Sequence, residues 1–124
     1  MSEPISAELL TSDEPVAFVG YADSRPGREQ DLRERMLALG DPSRAEPGVL
    51  AYEAFVNPAR PGSVAFYELY RDGHAVREHL EQPYMRRFFE DSASLLVGDL
   101  EIHVLHPLRA QASLTEHQKE EHRG

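Results

Sequence analysis

After Pro15, the apolar run Val16-Ala17-Phe18-Val19-Gly20-Tyr21-Ala22 predicts a first strand. Ser24-Arg25-Pro26-Gly27 is a turn cluster that doubles as a helix start. The period then changes. Leu32, Met36 and Leu39 recur at i, i+4 and i+7, and Arg28, Glu29, Asp31, Arg33 and Glu34 are left for solvent, which predicts an amphipathic helix from Arg28 to Leu39. Gly40-Asp41-Pro42 is expected to end it. A short helical turn over Ser43 to Glu46 and a bend at Pro47-Gly48 lead into a second strand, Val49 to Asn57. Asn57 to Gly62 carries two prolines and reads as a long hairpin loop, followed by a third strand from Ser63 to Arg71.

On that third strand Val64, Phe66, Glu68 and Tyr70 share one face, and Ala65, Tyr67 and Leu69 share the other. Both faces are mostly apolar, so both are expected to be covered. Helices can cover only one face of so small an antiparallel sheet, and a second copy of the chain is the simplest cover for the other. Asp72 is the expected N-cap of a helix from Gly73 to Leu80. Pro83 cannot continue that helix but can open the next, on which Met85, Phe88, Phe89, Leu95 and Leu96 form a stripe with Ser92 as its polar gap. Alternation at Leu100, Ile102 and Val104 predicts a fourth strand, Leu100 to Pro107.

The expected organisation is a flexible arm over 1–14, one folded domain over 15–109 and a polar tail over 110–124, without solenoid-type repeats. The order β-α-β-β-α-β is the ferredoxin-like split arrangement, an α+β fold with an antiparallel sheet.

Composition narrows the function classes. Of 124 residues, 13 are basic and 22 acidic, a formal charge of −9, which disfavours both nucleic-acid backbones and anionic lipid. With no cysteine, disulfides, thiolate catalysis and Cys-bound metal are excluded, and a reducing cytoplasm fits. No segment approaches the roughly 18 apolar residues of a membrane span. Neither a GxGxxG fingerprint nor a P-loop occurs. The histidines show no local spacing suited to a metal, so no metal is expected.

The chemistry-bearing candidates cluster in the second half. His79 titrates near neutral pH and is the first choice for proton transfer. Its alternative is a surface histidine between Arg77, Glu78 and Glu81. Glu68 shares a strand face with Phe66 and Tyr70; a carboxylate among aromatics has a raised pKa and can orient His79 or act as the base itself. Its alternative is a structural acceptor for a backbone group or for Arg71, Arg86 or Arg87. Tyr70 can line a pocket and donate a hydrogen bond, or simply pack in the core. Arg86 can stabilise an anion or stay solvated. Tyr52, Phe66, Phe88 and Phe89 are core residues first and pocket walls second, as is Phe55.

From about Val16 to Leu108 the chain resembles the antibiotic biosynthesis monooxygenase family. The carriers are Pro26-Gly27-Arg28, Glu46-Pro47-Gly48, Tyr52-Glu53, Tyr67-Glu68, Asp72, and His79-Leu80 followed by Pro83 and Phe88, in order and at family-like spacing. The resemblance implies a homodimeric barrel of two face-to-face sheets with one pocket per subunit between sheet and helices. It implies a monooxygenase that oxidises a hydroquinone- or anthrone-like aromatic with O2 to a quinone, without a cofactor, and it places His79 at the family's helix histidine. Tyr70 stands where tryptophan is frequent, Gln82 where serine is, and Tyr84 where histidine is. The asparagine near Gly20 and histidine near Phe89 of the haem-degrading branch are absent, so haem degradation is not expected. Two other classes fit the same barrel: a polyketide cyclase or isomerase, and a non-catalytic dimer that binds an aromatic ligand.

Overall fold

The computed structural model describes residues 5–108. The tail expected over 110–124 lies outside them. Eight elements follow in chain order: α1 (Ala7–Leu10), β1 (Val16–Asp23), α2 (Glu29–Arg44), β2 (Val49–Phe55), β3 (Ser63–Tyr70), α3 (Gly73–Leu80), α4 (Pro83–Leu95) and β4 (Glu101–Leu105). The strands form one antiparallel sheet in the order β2-β3-β1-β4. With two helical crossovers on one face, this is the ferredoxin-like arrangement.

The pleat sorts the strand residues. Val16, Phe18 and Ala22 of β1, Tyr52 of β2 and Val64, Phe66 and Tyr70 of β3 are buried under the helices. Leu32, Met36 and Leu39 of α2 and Met85, Phe88 and Leu95 of α4 close the core from above. Three arginines tie α2 and the turn before it to α4: Arg25 Nε donates to the Ala93 carbonyl at 2.7 Å, Arg28 to the Ser94 carbonyl at 2.9 Å, and Arg35 pairs with Asp91 at 2.5 Å. The opposite sheet face carries Val19, Tyr21, Tyr67 and Leu69, all only partly buried, and Phe55 and Leu105, both exposed.

Local signals account for the second half. The Asp72 side chain accepts from the Ala75 amide and caps α3, an interaction worth about 1 kcal/mol. Pro83 opens α4 as its first residue.

Two expectations are corrected. Gly40-Asp41-Pro42 does not end the second helix, which runs on to Arg44 with Pro42 inside it. The missing amide of Pro42 is outweighed by burial of Leu39, Gly40 and Ser43 against the sheet, and Arg44 ties the end down by donating to the Tyr52 carbonyl at 2.6 Å. The arm before β1 is not loose over its described part. Ser6 caps the one-turn helix α1 by accepting from the Leu9 amide, and Leu9 is buried. Gly73 makes this docking possible: its amide donates to the Ser12 carbonyl at 2.9 Å, and a Cβ there would stand 1.8 Å from the Leu9 carbonyl oxygen. The pattern before Pro15 has too few apolar residues to predict this.

Candidate active site

Alternation along β3 puts Glu68 and Tyr70 side by side on the helix-covered face. The Tyr70 hydroxyl donates to Glu68 Oε1 at 2.6 Å, and the Tyr70 ring is fully buried beside Phe18, with centroids 5.5 Å apart. On α3 the helical repeat aligns Ala75, Val76 and His79 on the buried face. The His79 ring sits in an aromatic cage, 5.3 Å from Tyr52, 5.5 Å from Tyr70 and 6.3 Å from Tyr84, centroid to centroid.

A fourth polar side chain completes the cluster. Glu46 stands in the tight connection between α2 and β2, held by the bonds Glu46 N–H to Ser43 carbonyl and Val49 N–H to Glu46 carbonyl, both 3.1 Å. Gly48 lets this turn lie directly on α3, because a Cβ there would come within 2.4 Å of the Ala75 Cβ. The packing delivers Glu46 Oε2 to 2.9 Å from His79 Nδ1. The Tyr84 hydroxyl donates to the same oxygen. His79 Nε2 is buried and has no hydrogen-bond partner.

The electrostatics follow from this environment. Burial lowers the His79 pKa from 6.5, and the Glu46 carboxylate only partly offsets it, so the ring is neutral at neutral pH. With Nδ1–H donating to Glu46, the lone pair of the neutral ring is on Nε2. Burial raises Glu68 to about 7 although the Tyr70 hydrogen bond works the other way. Burial, reinforced by the neighbouring carboxylates, keeps Tyr52, Tyr70 and Tyr84 well above the ordinary tyrosine range, so all three stay protonated.

Tyr52, Glu68, Tyr70 and His79 lie at the inner end of a cleft between sheet and helices. The inner part, about 40 Å³, is lined by Tyr52, Phe66, Glu68, Tyr70, His79 and Phe88 among others. Ile5, Leu80, Phe88, Phe89, Leu100 and Ile102 line both this part and an outer chamber of about 500 Å³. The cleft therefore joins a small inner part, where Glu68 and His79 stand among apolar walls, to a larger apolar chamber.

His79, Glu68, Tyr70, Tyr52, Phe66, Phe88 and Phe89, all singled out in the sequence, are brought to this cleft. Arg86 is not: it is exposed on α4 and lines neither part. Phe55 is exposed on the opposite sheet face. Glu68 does not orient His79, since Tyr70 occupies it and Glu46 holds the imidazole. Glu46 and Tyr84 were missed. Glu46 reads as turn punctuation before Pro47-Gly48, and only the close fit of Gly48 on Ala75 turns it toward α3. Among the described residues no three His, Asp or Glu side chains gather as a metal site, and no helix is long and apolar enough to cross a membrane.

A family model described as antibiotic biosynthesis monooxygenase matches residues 15–91. Rv0793 of Mycobacterium tuberculosis is 31% identical over 94 residues, which are 76% of this chain and 92% of that protein. The structure of Rv0793 superposes with a TM-score of 0.72, covering 77% of this chain and 96% of that one. PA3566 of Pseudomonas aeruginosa, 27% identical, superposes equally well, with a TM-score of 0.72 and coverage of 77% and 96%. An uncharacterised protein of Synechocystis is 26% identical over 103 residues, 83% of this chain and 70% of its own length.

Proposed function

The chain belongs to the antibiotic biosynthesis monooxygenase family, and from that premise we propose that it is a cofactor-independent monooxygenase that oxidises a small hydroquinone- or anthrone-like aromatic with O2 to a quinone. The observation that carries this reading is the state of His79: neutral, held at Nδ1 by Glu46, with an unpartnered Nε2 at the inner end of an apolar cleft. That is the arrangement of a general base facing a weakly acidic substrate.

In an anthrone the reacting carbon is a CH2 group. His79 Nε2 takes the proton and leaves the delocalised anion in a water-poor cleft. The anion gives one electron to O2, and the substrate radical and superoxide combine to form a C–O bond. The peroxide is protonated, and the remaining hydrogen on that carbon leaves as a proton while the O–O bond breaks. One oxygen atom ends in the new carbonyl and the other in water. Glu68, with a pKa of about 7 and the Tyr70 hydroxyl on its other side, is the proton donor to the departing oxygen. Glu46 is a positioning residue that selects the His79 tautomer. A placed acid or base of this kind contributes about 10²- to 10⁴-fold.

The uncovered apolar sheet face supports a homodimer in which two sheets pack together. The cysteine-free composition supports a reducing compartment, the cytoplasm. A cyclase or isomerase is the second reading, because a neutral histidine and a near-neutral carboxyl in an apolar cleft serve proton transfer equally well without oxygen. An oxygen electrode separates them: substrate-dependent uptake with hydroquinones or anthrones supports the monooxygenase, and product formed under argon supports the alternative.

A further inference from the structure

The cleft is divided unequally, and the division bears on the substrate. Its inner part, about 40 Å³, is smaller than a ring, so the body of an aromatic substrate lies in the wider part with its reacting edge toward His79. The outer chamber, about 500 Å³, exceeds several-fold what a single ring needs, since a cavity of about 150 Å³ takes benzene. Its walls are mainly branched aliphatics: Ile5, Leu10, Leu80, Leu96, Leu100 and Ile102, beside Phe88 and Phe89. Asp99 is the one charged side chain lining it.

The origin of these walls is equally informative. Leu80, Phe88 and Phe89 come from the span that the family model matches, and all the other lining residues precede or follow it. Ile5 precedes α1 and Leu10 is its last residue; α1 is locked to α3 by buried Leu9 and the Ser12–Gly73 bond. Ile5 and Leu10 thus bring the segment before the matched span into the chamber wall.

We infer that the outer chamber selects a phenolic substrate bearing an uncharged aliphatic chain, with Ile5 and Leu10 on the α1 segment as the residues that set its fit. The phenolic head rests on the function proposed above; the chain requirement rests on the walls alone. Each methylene removed from water against branched aliphatic side chains adds to binding, and the exposed Asp99 disfavours an anionic chain end, which the apolar walls would also desolvate.

Isothermal titration of the full chain with 4-alkylphenols from methyl to octyl tests this without any turnover. Affinity is expected to rise about fourfold per methylene until the chamber is full. The double variant Ile5→Ala/Leu10→Ala is expected to lose about tenfold for octylphenol and to bind 4-methylphenol as wild type does. A chain of the same length ending in carboxylate is expected to bind at least tenfold more weakly, and Asp99→Asn to recover part of that loss. Circular dichroism of each variant establishes that it is folded. Affinity independent of chain length, or an equal loss for short and long phenols in the double variant, overturns the inference. Oxygen uptake with a short hydroquinone but no chain-length gain sinks this inference and spares the monooxygenase; a chain-length gain with no oxygen uptake does the reverse.

Discussion

Glu46 and His79 are separated by 33 residues of sequence and meet at 2.9 Å, carboxylate oxygen to Nδ1. Both are largely out of water, their side chains 12% and 2% exposed. The pair fixes which nitrogen of His79 carries the proton in the neutral ring. Glu46→Gln keeps the shape and removes the charge. Because Glu46 raises the His79 pKa against burial, the variant's imidazole should titrate lower still than in wild type. Turnover should fall about 10²-fold, the lower end of what a placed base contributes. Nitrogen NMR of the ring reads pKa and tautomer together; an unchanged titration would show that Glu46 does not hold the histidine.

Glu68 makes stability depend on pH. Its folded pKa is raised from 4.5 to about 7, so the folded state binds the proton more tightly than the unfolded chain does. The associated stability is complete below pH 4.5 and is lost as pH rises through 7, up to roughly 3 kcal/mol. His79 has the opposite slope: its pKa is lowered, so stability is lost as pH falls below 6.5. Urea unfolding at pH 5 and pH 8, wild type against Glu68→Gln, isolates the carboxyl. Wild type should lose more stability toward pH 8 than the variant. Parallel curves would mean that Glu68 is not desolvated.

Gly73→Ala should undock α1. A Cβ at this position meets backbone, the Leu9 carbonyl oxygen at 1.8 Å, so no side-chain rotation relieves it. A cost of about 2 kcal/mol is expected, a fall in Tm of roughly 10 °C. Hydrogen exchange at the Leu10 and Ser12 amides should speed up, since both bond within the α1 segment. Unchanged protection at these amides would contradict the docking.

The chain should elute as a dimer at micromolar concentration. Leu69 lies at the centre of the uncovered sheet face, opposite Ala17 on β1 and Ala51 on β2. Leu69→Arg should give a folded monomer by light scattering. A wild-type monomer at that concentration would remove the second copy as the cover of that face.

The parts legible in the sequence were those written in local periods. The alternation of β3 placed Glu68 beside Tyr70, and Asp72 and Pro83 marked two helix starts where the structure has them. What stayed hidden depends on packing between distant segments. Pro42 reads as a helix stop because local propensity knows nothing of the burial that carries α2 past it. Glu46 has no periodic partner, and its role follows from Gly48 letting one turn touch one helix. Arg86 looked available for a phenolate, yet its position on α4 leaves it in solvent.

The most direct test is turnover under ¹⁸O2 with an anthrone accepted by the cleft, wild type beside His79→Ala, and mass spectrometry of the quinone. The account predicts one labelled oxygen per product molecule in wild type and at least a 10²-fold loss of product in a folded His79→Ala protein. Product without label, or labelled product formed at an undiminished rate by the variant, would contradict it.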